Sequence, residues 1–223
     1  MKINLVIFDM DGLMFDTEKL SYEGWSLGCS RYGYKLTDDF FKTLVACNMK
    51  VIEHRFCKHF GEDTPYKQIE SIWDDYIVDT IKEKGIPVKK GLLELLDYLD
   101  EKGIHKAVAS SSDRTRVELC IKSANIMERF DCIICGSDIK RGKPEPDIFL
   151  TAAERLNCAA SECAVLEDSE NGILAASRAG MMPIMVPDLI QPSDETKKLY
   201  HKKLDSLLDV RDYFMKINAA PNP

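Results

Sequence analysis

"IFDMDGLMFDTE", residues 7–18, sets two carboxylates, Asp9 and Asp11, one residue apart at the end of an apolar run, with Gly12 directly behind them. Asp and Gly both favour turns, so the plainest reading is a buried strand that stops in a polar turn. Asp-x-Asp-Gly by itself does not separate a turn from a reactive site; the rest of the chain has to.

Working outward, "NLVIF" (4–8) is joined by four more short apolar runs with strand character: "KAVAS" (106–110), "CIIC" (132–135), "CAVLE" (163–167) and "MPIMV" (182–186). Helical spacing fills the gaps between the later runs. Val117, Cys120, Ile121 and Ala124 make one stripe, and Ile148, Phe149, Ala152, Ala153 and Leu156 another. Residues 171–179 suit a third helix ending at Gly180. Buried strands alternating with helices predict an α/β fold, a Rossmann-like doubly wound parallel sheet covered on both faces.

The stretch after the first strand breaks that rhythm. Phe40, Phe41, Leu44 and Val45 share a helical face, as do Ile69, Ile72, Trp73, Tyr76, Ile77 and Ile81. Gly85-Ile86-Pro87 interrupts, and Leu92, Leu95, Leu96 and Leu99 start a further helix. Residues 17–86 therefore read as a small helical domain inserted after the first strand, with 1–16 and 87–223 forming a discontinuous core domain. The terminal "NAAPNP" reads as frayed.

Composition narrows the class. The chain has 223 residues, 45% hydrophobic and 30% charged, as for a globular protein with a sizeable core. A net charge of −7 argues against a nucleic-acid or anionic-membrane surface. No apolar stretch approaches the ~20 residues of a membrane span. The N-terminal apolar run is too short for a signal peptide, so a cytoplasmic location is expected, with the eight cysteines reduced. A monomer is the expected state. Cys132-Ile-Ile-Cys135 lies in a strand-like run rather than opening a helix, and no second pair at zinc spacing accompanies it.

Ligands in an open parallel sheet bind at the carboxyl ends of its strands. The first strand delivers Asp9 and Asp11, and the second delivers Ser110, Ser111 and Ser112 just before a helix. After the third comes "GKPEPD" with Lys143, and the fourth ends in Glu167-Asp168-Ser169. Singly these read as a helix cap, a solvated lysine and a helix start. Together they crowd carboxylates at one edge, a costly arrangement without a cation. Carboxylate oxygens without nearby His or Cys point to Mg²⁺, and metal, lysine and helix amides together make a phosphate site.

"DMDGLMFDTE", "ASSS", "GKPEPDIF" and "LEDSENGI" resemble, in order, the four motifs of the haloacid dehalogenase-like superfamily, and the insertion resembles the helical cap of its β-phosphoglucomutase-like subgroup. The resemblance implies Asp9 as the nucleophile that takes a phosphoryl group and Asp11 as the acid–base residue. It implies Ser110, Ser111 and Lys143 around the phosphate, and Mg²⁺ held by Asp9, the Asp11 carbonyl, Asp168 and Glu167. Dehalogenases themselves lack the second aspartate, so Asp11 points to phosphoryl transfer. The cap is expected to close over the site and choose a small phosphorylated metabolite.

The subgroup's mutases carry a histidine four residues after the threonine of the Asp-Thr pair; counted from Thr17, that seat holds Ser21. They also present an arginine from a later cap loop, where "LVACNMK" offers only Lys50. Three readings follow: a Mg²⁺-dependent phosphatase for a sugar phosphate or similar metabolite, a hexose-phosphate mutase, and a catalytically silent binding protein. The two departures favour the first, and retention of all four motifs speaks against the last.

Overall fold

A computed structural model describes residues 2–45, 47 and 49–219. "LVACNMK" is therefore described only in part, and the terminal stretch expected to fray lies, from 220 onward, outside the described residues. The chain divides into two compact units: Met1–Phe15 with Pro87–Pro223, and Asp16–Ile86.

The first unit is built on a six-stranded sheet in which every adjacent pair is parallel. Its strands are β1 (Leu5–Phe8), β2 (His105–Ser110), β3 (Cys132–Cys135), β4 (Cys163–Glu167), β5 (Met182–Met185) and β6 (Lys202–Lys203), in the order β3-β2-β1-β4-β5-β6. β6 was not expected from the sequence: it is two exposed lysines, with no apolar run to announce it. The order runs in opposite directions on either side of β1, which puts a crevice at the carboxyl ends of β1 and its neighbours.

Both faces of β1 are buried, and all four of its residues are inaccessible to solvent. On one face Leu5 and Ile7 join Ala107, Ala109 and Val165 beneath the helices Asp147–Arg155 and Glu170–Arg178. The helix Leu92–Glu101 packs with β2 and with the C-terminal helix Leu207–Ala219. Lys106, in β2, is buried, and its ammonium reaches Asp100 at 2.5 Å, so its charge is paired rather than stranded. Cys132 and Cys135 lie in β3. All eight cysteines are free, and burial pushes the Cys132 thiol up to about 11 and Cys163 to about 12.

The second unit contains four described helices: α1 (Thr17–Arg31), α2 (Asp38–Leu44), α3 (Met49–Phe60) and α4 (Tyr66–Lys84). The first and last form its main packing pair. Trp25 stacks on Trp73 at 4.8 Å between ring centroids and meets Phe56 at 4.9 Å, centring a core with Phe40, Phe41 and Ile69. Among the described residues no helix is long and apolar enough to cross a membrane. Continuing in chain order, the helices of the first unit are α5 (Leu92–Glu101), α6 (Arg114–Ser123), α7 (Asp147–Arg155), α8 (Glu170–Arg178) and α9 (Leu207–Ala219).

Candidate active site

Asp9 stands one residue past β1, where its amide donates to the Leu166 carbonyl at 3.0 Å. Phe8 pairs with Leu166, so Asp9 comes level with Glu167 at the end of β4. Glu167 is fully buried and Asp9 is 7% exposed, and two carboxylates that close and that dry need a cation. Lys143 supplies one. Its ammonium donates to Asp9 Oδ1 at 2.5 Å, to Glu167 Oε1 at 2.5 Å and to the Ala109 carbonyl at 3.2 Å. The other Glu167 oxygen, Oε2, accepts from the Ser169 hydroxyl at 2.8 Å, and that hydroxyl caps α8 by accepting from the Gly172 amide.

Electrostatics follow from this burial. Desolvation pushes the Asp9 carboxyl up to about 8; the Glu167 and Asp11 carboxylates push the same way, and Lys143 opposes them. Burial works against the Lys143 charge, yet its two carboxylate partners outweigh it and hold the ammonium above the ordinary lysine value.

Asp11 occupies a different setting. It is half-buried, and its Oδ2 accepts from the Ser112 hydroxyl at 2.8 Å and from Ser110 at 3.4 Å. Ser110 Oγ also accepts from the Ser112 amide at 3.1 Å, so the serine run forms a small network at the end of β2. Ser110 is 1% exposed and central to it, whereas Ser111 is exposed. The bond from Ser112 to Asp11 was not assigned from the sequence, where three adjacent serines look interchangeable.

Behind Asp11, Gly12 adopts φ +78°, and a Cβ there would lie 2.3 Å from Asp168 Oδ2. Glycine is therefore required twice over, for the left-handed turn and for the close approach of that carboxylate. Asp9, Glu167 and Asp168 offer one carboxylate oxygen each, all within 4.8 Å of one another. Oxygen donors alone fit a hard divalent cation. The fit is good: Asp9 and Asp168 carry the charge such an ion neutralises, while Lys143 and Ser169 already engage both Glu167 oxygens.

The haloacid dehalogenase-like hydrolase family matches residues 6–186. The chain belongs to this family. It is 30% identical over 189 residues to the phosphorylated carbohydrates phosphatase of Thermotoga maritima, covering 79% of this chain and 81% of that one. It is 29% identical to the β-phosphoglucomutase of Bacillus subtilis, covering 89% and 94%. Among solved structures, CbbY from Rhodobacter sphaeroides in complex with phosphate superposes with a TM-score of 0.80 at 26% identity, covering 93% of this chain and 96% of CbbY. Identity reaches 35% over 83% of this chain with the chloroplastic SUPPRESSOR OF QUENCHING 1 protein of Arabidopsis thaliana, but the chain spans only 18% of that protein's length. It spans 66% of the Arabidopsis thaliana hydrolase domain-containing protein At4g39970.

The remaining expected residues lie in the helical unit. Ser21, one turn into α1, accepts from Trp73 Nε1 at 3.0 Å. Lys50 is exposed on α3. Arg55, from the same helix, donates to Cys47 Sγ at 3.1 Å, bringing a guanidinium to the "LVACNMK" stretch that lacks one in sequence. Eight residues separate the partners, so no local spacing announced the contact. Asp188 is the other residue the sequence reading passed over. It follows β5 and bonds Lys89 at 2.6 Å. The rule that found Asp9 and Glu167, reading what each strand delivers at its carboxyl end, would have reached it had it been applied to "MPIMV".

Proposed function

We propose that this hydrolase is a Mg²⁺-dependent phosphatase for a small phosphomonoester, a sugar phosphate or similar metabolite, working through an aspartyl-phosphate on Asp9. One observation carries the reading: Asp9 and Asp11, two residues apart, sit in two environments. Asp9 is buried against a lysine among acids, and Asp11 is half-buried and held by serine hydroxyls. Carboxylates with divergent surroundings divide nucleophilic and proton-transfer work between them.

In this reading an Asp9 oxygen attacks phosphorus, and the bond to the leaving oxygen breaks with its electron pair going to that oxygen. Asp11 gives the leaving oxygen its proton. Asp11 then takes a proton from water as the water attacks phosphorus, and Asp9 departs as free carboxylate. The Ser110 and Ser112 network keeps Asp11 aimed through both halves. Lys143, with the Ser110–Ser111 segment, offsets charge on the phosphoryl oxygens. Asp9, the Asp11 carbonyl and Asp168 would hold Mg²⁺, helped by Glu167, and the ion would offset phosphoryl charge when bound. The unit 16–86 would serve as a helical cap that governs substrate choice, with Lys50 a candidate substrate contact. The chain would act as a cytoplasmic monomer.

The runner-up is a hexose-phosphate mutase, favoured by likeness to the Bacillus subtilis enzyme. Against it, the seat of the mutase histidine holds Ser21, whose hydroxyl is engaged by Trp73. A panel of phosphomonoesters with Mg²⁺, using Asp9→Asn as blank, should release inorganic phosphate only with the wild type. Rapid conversion of β-glucose 1-phosphate, with a trace of the 1,6-bisphosphate, into glucose 6-phosphate without free phosphate would establish the mutase instead. Phosphorus NMR separates the two.

A further inference from the structure

Asp188 carries a buried carboxylate oxygen with no partner among the described residues. Its Oδ1 is fixed by Lys89 Nζ at 2.6 Å, while Oδ2 is inaccessible and accepts nothing. The Lys89 amide donates to the Met14 carbonyl at 2.9 Å, so the lysine joins the turn behind Asp11 to the segment leaving β5. A Cβ on Gly12 would stand 2.3 Å from Asp168 Oδ2 and 3.4 Å from Asp188 Oδ2, so both oxygens converge on the residue that follows Asp11.

A buried polar atom left unpaired is costly and calls for an explanation. An ordinary structural ion pair would use Asp188 without bringing its second oxygen, beside that of Asp168, up to Gly12, where like charges repel. Hard divalent cations such as Mg²⁺ keep several waters when protein carboxylates bind them. Groups that accept from bound ligands orient them and raise affinity.

We propose that Asp188 is a positioning residue for the cation, its Oδ2 accepting a hydrogen bond from a metal-held water, with Lys89 fixing its rotamer. The inference rests on the divalent site proposed above. Lys89 makes the geometry directional, since an ammonium demands an acceptor at Oδ1. In Asp188→Asn the carbonyl must therefore turn to Lys89, which presents the NH₂ donor to the water.

Equilibrium binding of Mn²⁺, read by electron paramagnetic resonance without substrate, tests it on the full chain. Asp188→Asn should weaken Mn²⁺ about 10–100-fold, the usual effect of losing such a partner. Asp188→Glu, which keeps the charge but moves the oxygens, should also weaken it. Lys89→Met should lower the melting temperature yet weaken Mn²⁺ less than Asp188→Asn does, because Oδ2 survives as an acceptor although its rotamer is no longer fixed. Wild-type affinity in Asp188→Asn alongside lost affinity in Asp168→Ala overturns the role of Asp188 and leaves the metal site standing. Unchanged affinity in Asp168→Ala as well overturns both. Equal losses of affinity and melting temperature in Asp188→Asn and Lys89→Met would make the pair structural only. If Asp188→Asn fails to fold, Asp188→Glu decides by the same affinity criterion.

Discussion

The carboxyl edge of the sheet and the four-helix unit solve opposite problems. At the edge, Asp9, Lys143 and Glu167 put charge where water is scarce, and each charge is answered by another at hydrogen-bond distance. In the helical unit the interior is aromatic, and the fit is made by removing atoms. Gly28 of α1 lies so close to α4 that a Cβ would come within 2.8 Å of the Ile69 carbonyl. The first region spends stability on chemistry and shows it as charged residues in a readable order. The second spends sequence on shape, and a glycine leaves little trace in a hydrophobic pattern.

The contrast can be broken from either side. The largest effect is expected at the edge: Asp9→Asn should bring phosphate release down to the rate seen without enzyme, and retained turnover with deamidation excluded would remove Asp9 as nucleophile. Asp11→Asn should cost about 10²–10⁴-fold in turnover, the worth of a positioned acid–base group, while leaving the melting temperature nearly unchanged. Removing divalent cations with EDTA should abolish activity, and added Mg²⁺ should restore it.

On the other side, Gly28→Val should destabilise the helical unit by about 1–3 kcal/mol, since the obstacle is the Ile69 backbone, which must shift. Calorimetry should show that loss while Mn²⁺ affinity at the carboxylates stays at the wild-type value. A matching fall in affinity would show that the two regions do not behave separately.

The smallest effect concerns the end of β3. Asp138 Oδ2 accepts from the Cys135 amide at 2.8 Å and from Arg114 at 2.7 Å. These partners, the amide first, hold its carboxyl below the ordinary 3.8. A depressed folded-state value stabilises above the unfolded value, and the contribution fades as pH falls through the folded one. Asp138→Asn should therefore cost about 1 kcal/mol near neutral pH, with the gap to wild type closing in acid. Melting curves from neutral pH down to pH 3 check this; a constant gap would mean the loss is one of packing.

Much of the fold was legible because burial on both faces writes itself as continuous apolar residues. The five longer strands coincide with the five apolar runs, and Leu92, Leu95, Leu96 and Leu99 are all buried on α5. β6 escaped because an exposed edge strand has no buried face to mark it. α1 falls inside the stretch expected to be helical but shows no apolar stripe: its buried residues include Gly24 and Gly28 beside Leu20, Trp25 and Cys29, so the inward face does not read as apolar. On the long α4 stripe, Ile69, Ile77 and Ile81 are buried while Ile72, Trp73 and Tyr76 stay half-buried, because a periodic pattern counts apolar residues and not the neighbours available to cover them.

By itself, the sequence determined which groups stand at the ends of the first four strands. Strand periodicity and the parallel rule place those ends on one edge, and the choice of Asp, Ser, Lys and Glu is local. Which of these groups touch was decided only by tertiary structure. Register set Asp9 level with Glu167, Lys143 bridged them across 134 and 24 residues of chain, and Ser112 rather than Ser111 reached Asp11. The pairing of Lys89 with Asp188, 99 residues apart, belongs to the same class. Hydrogen bonds act over about 3 Å in space, and no pattern of neighbours along a chain encodes which distant side chains will arrive within it.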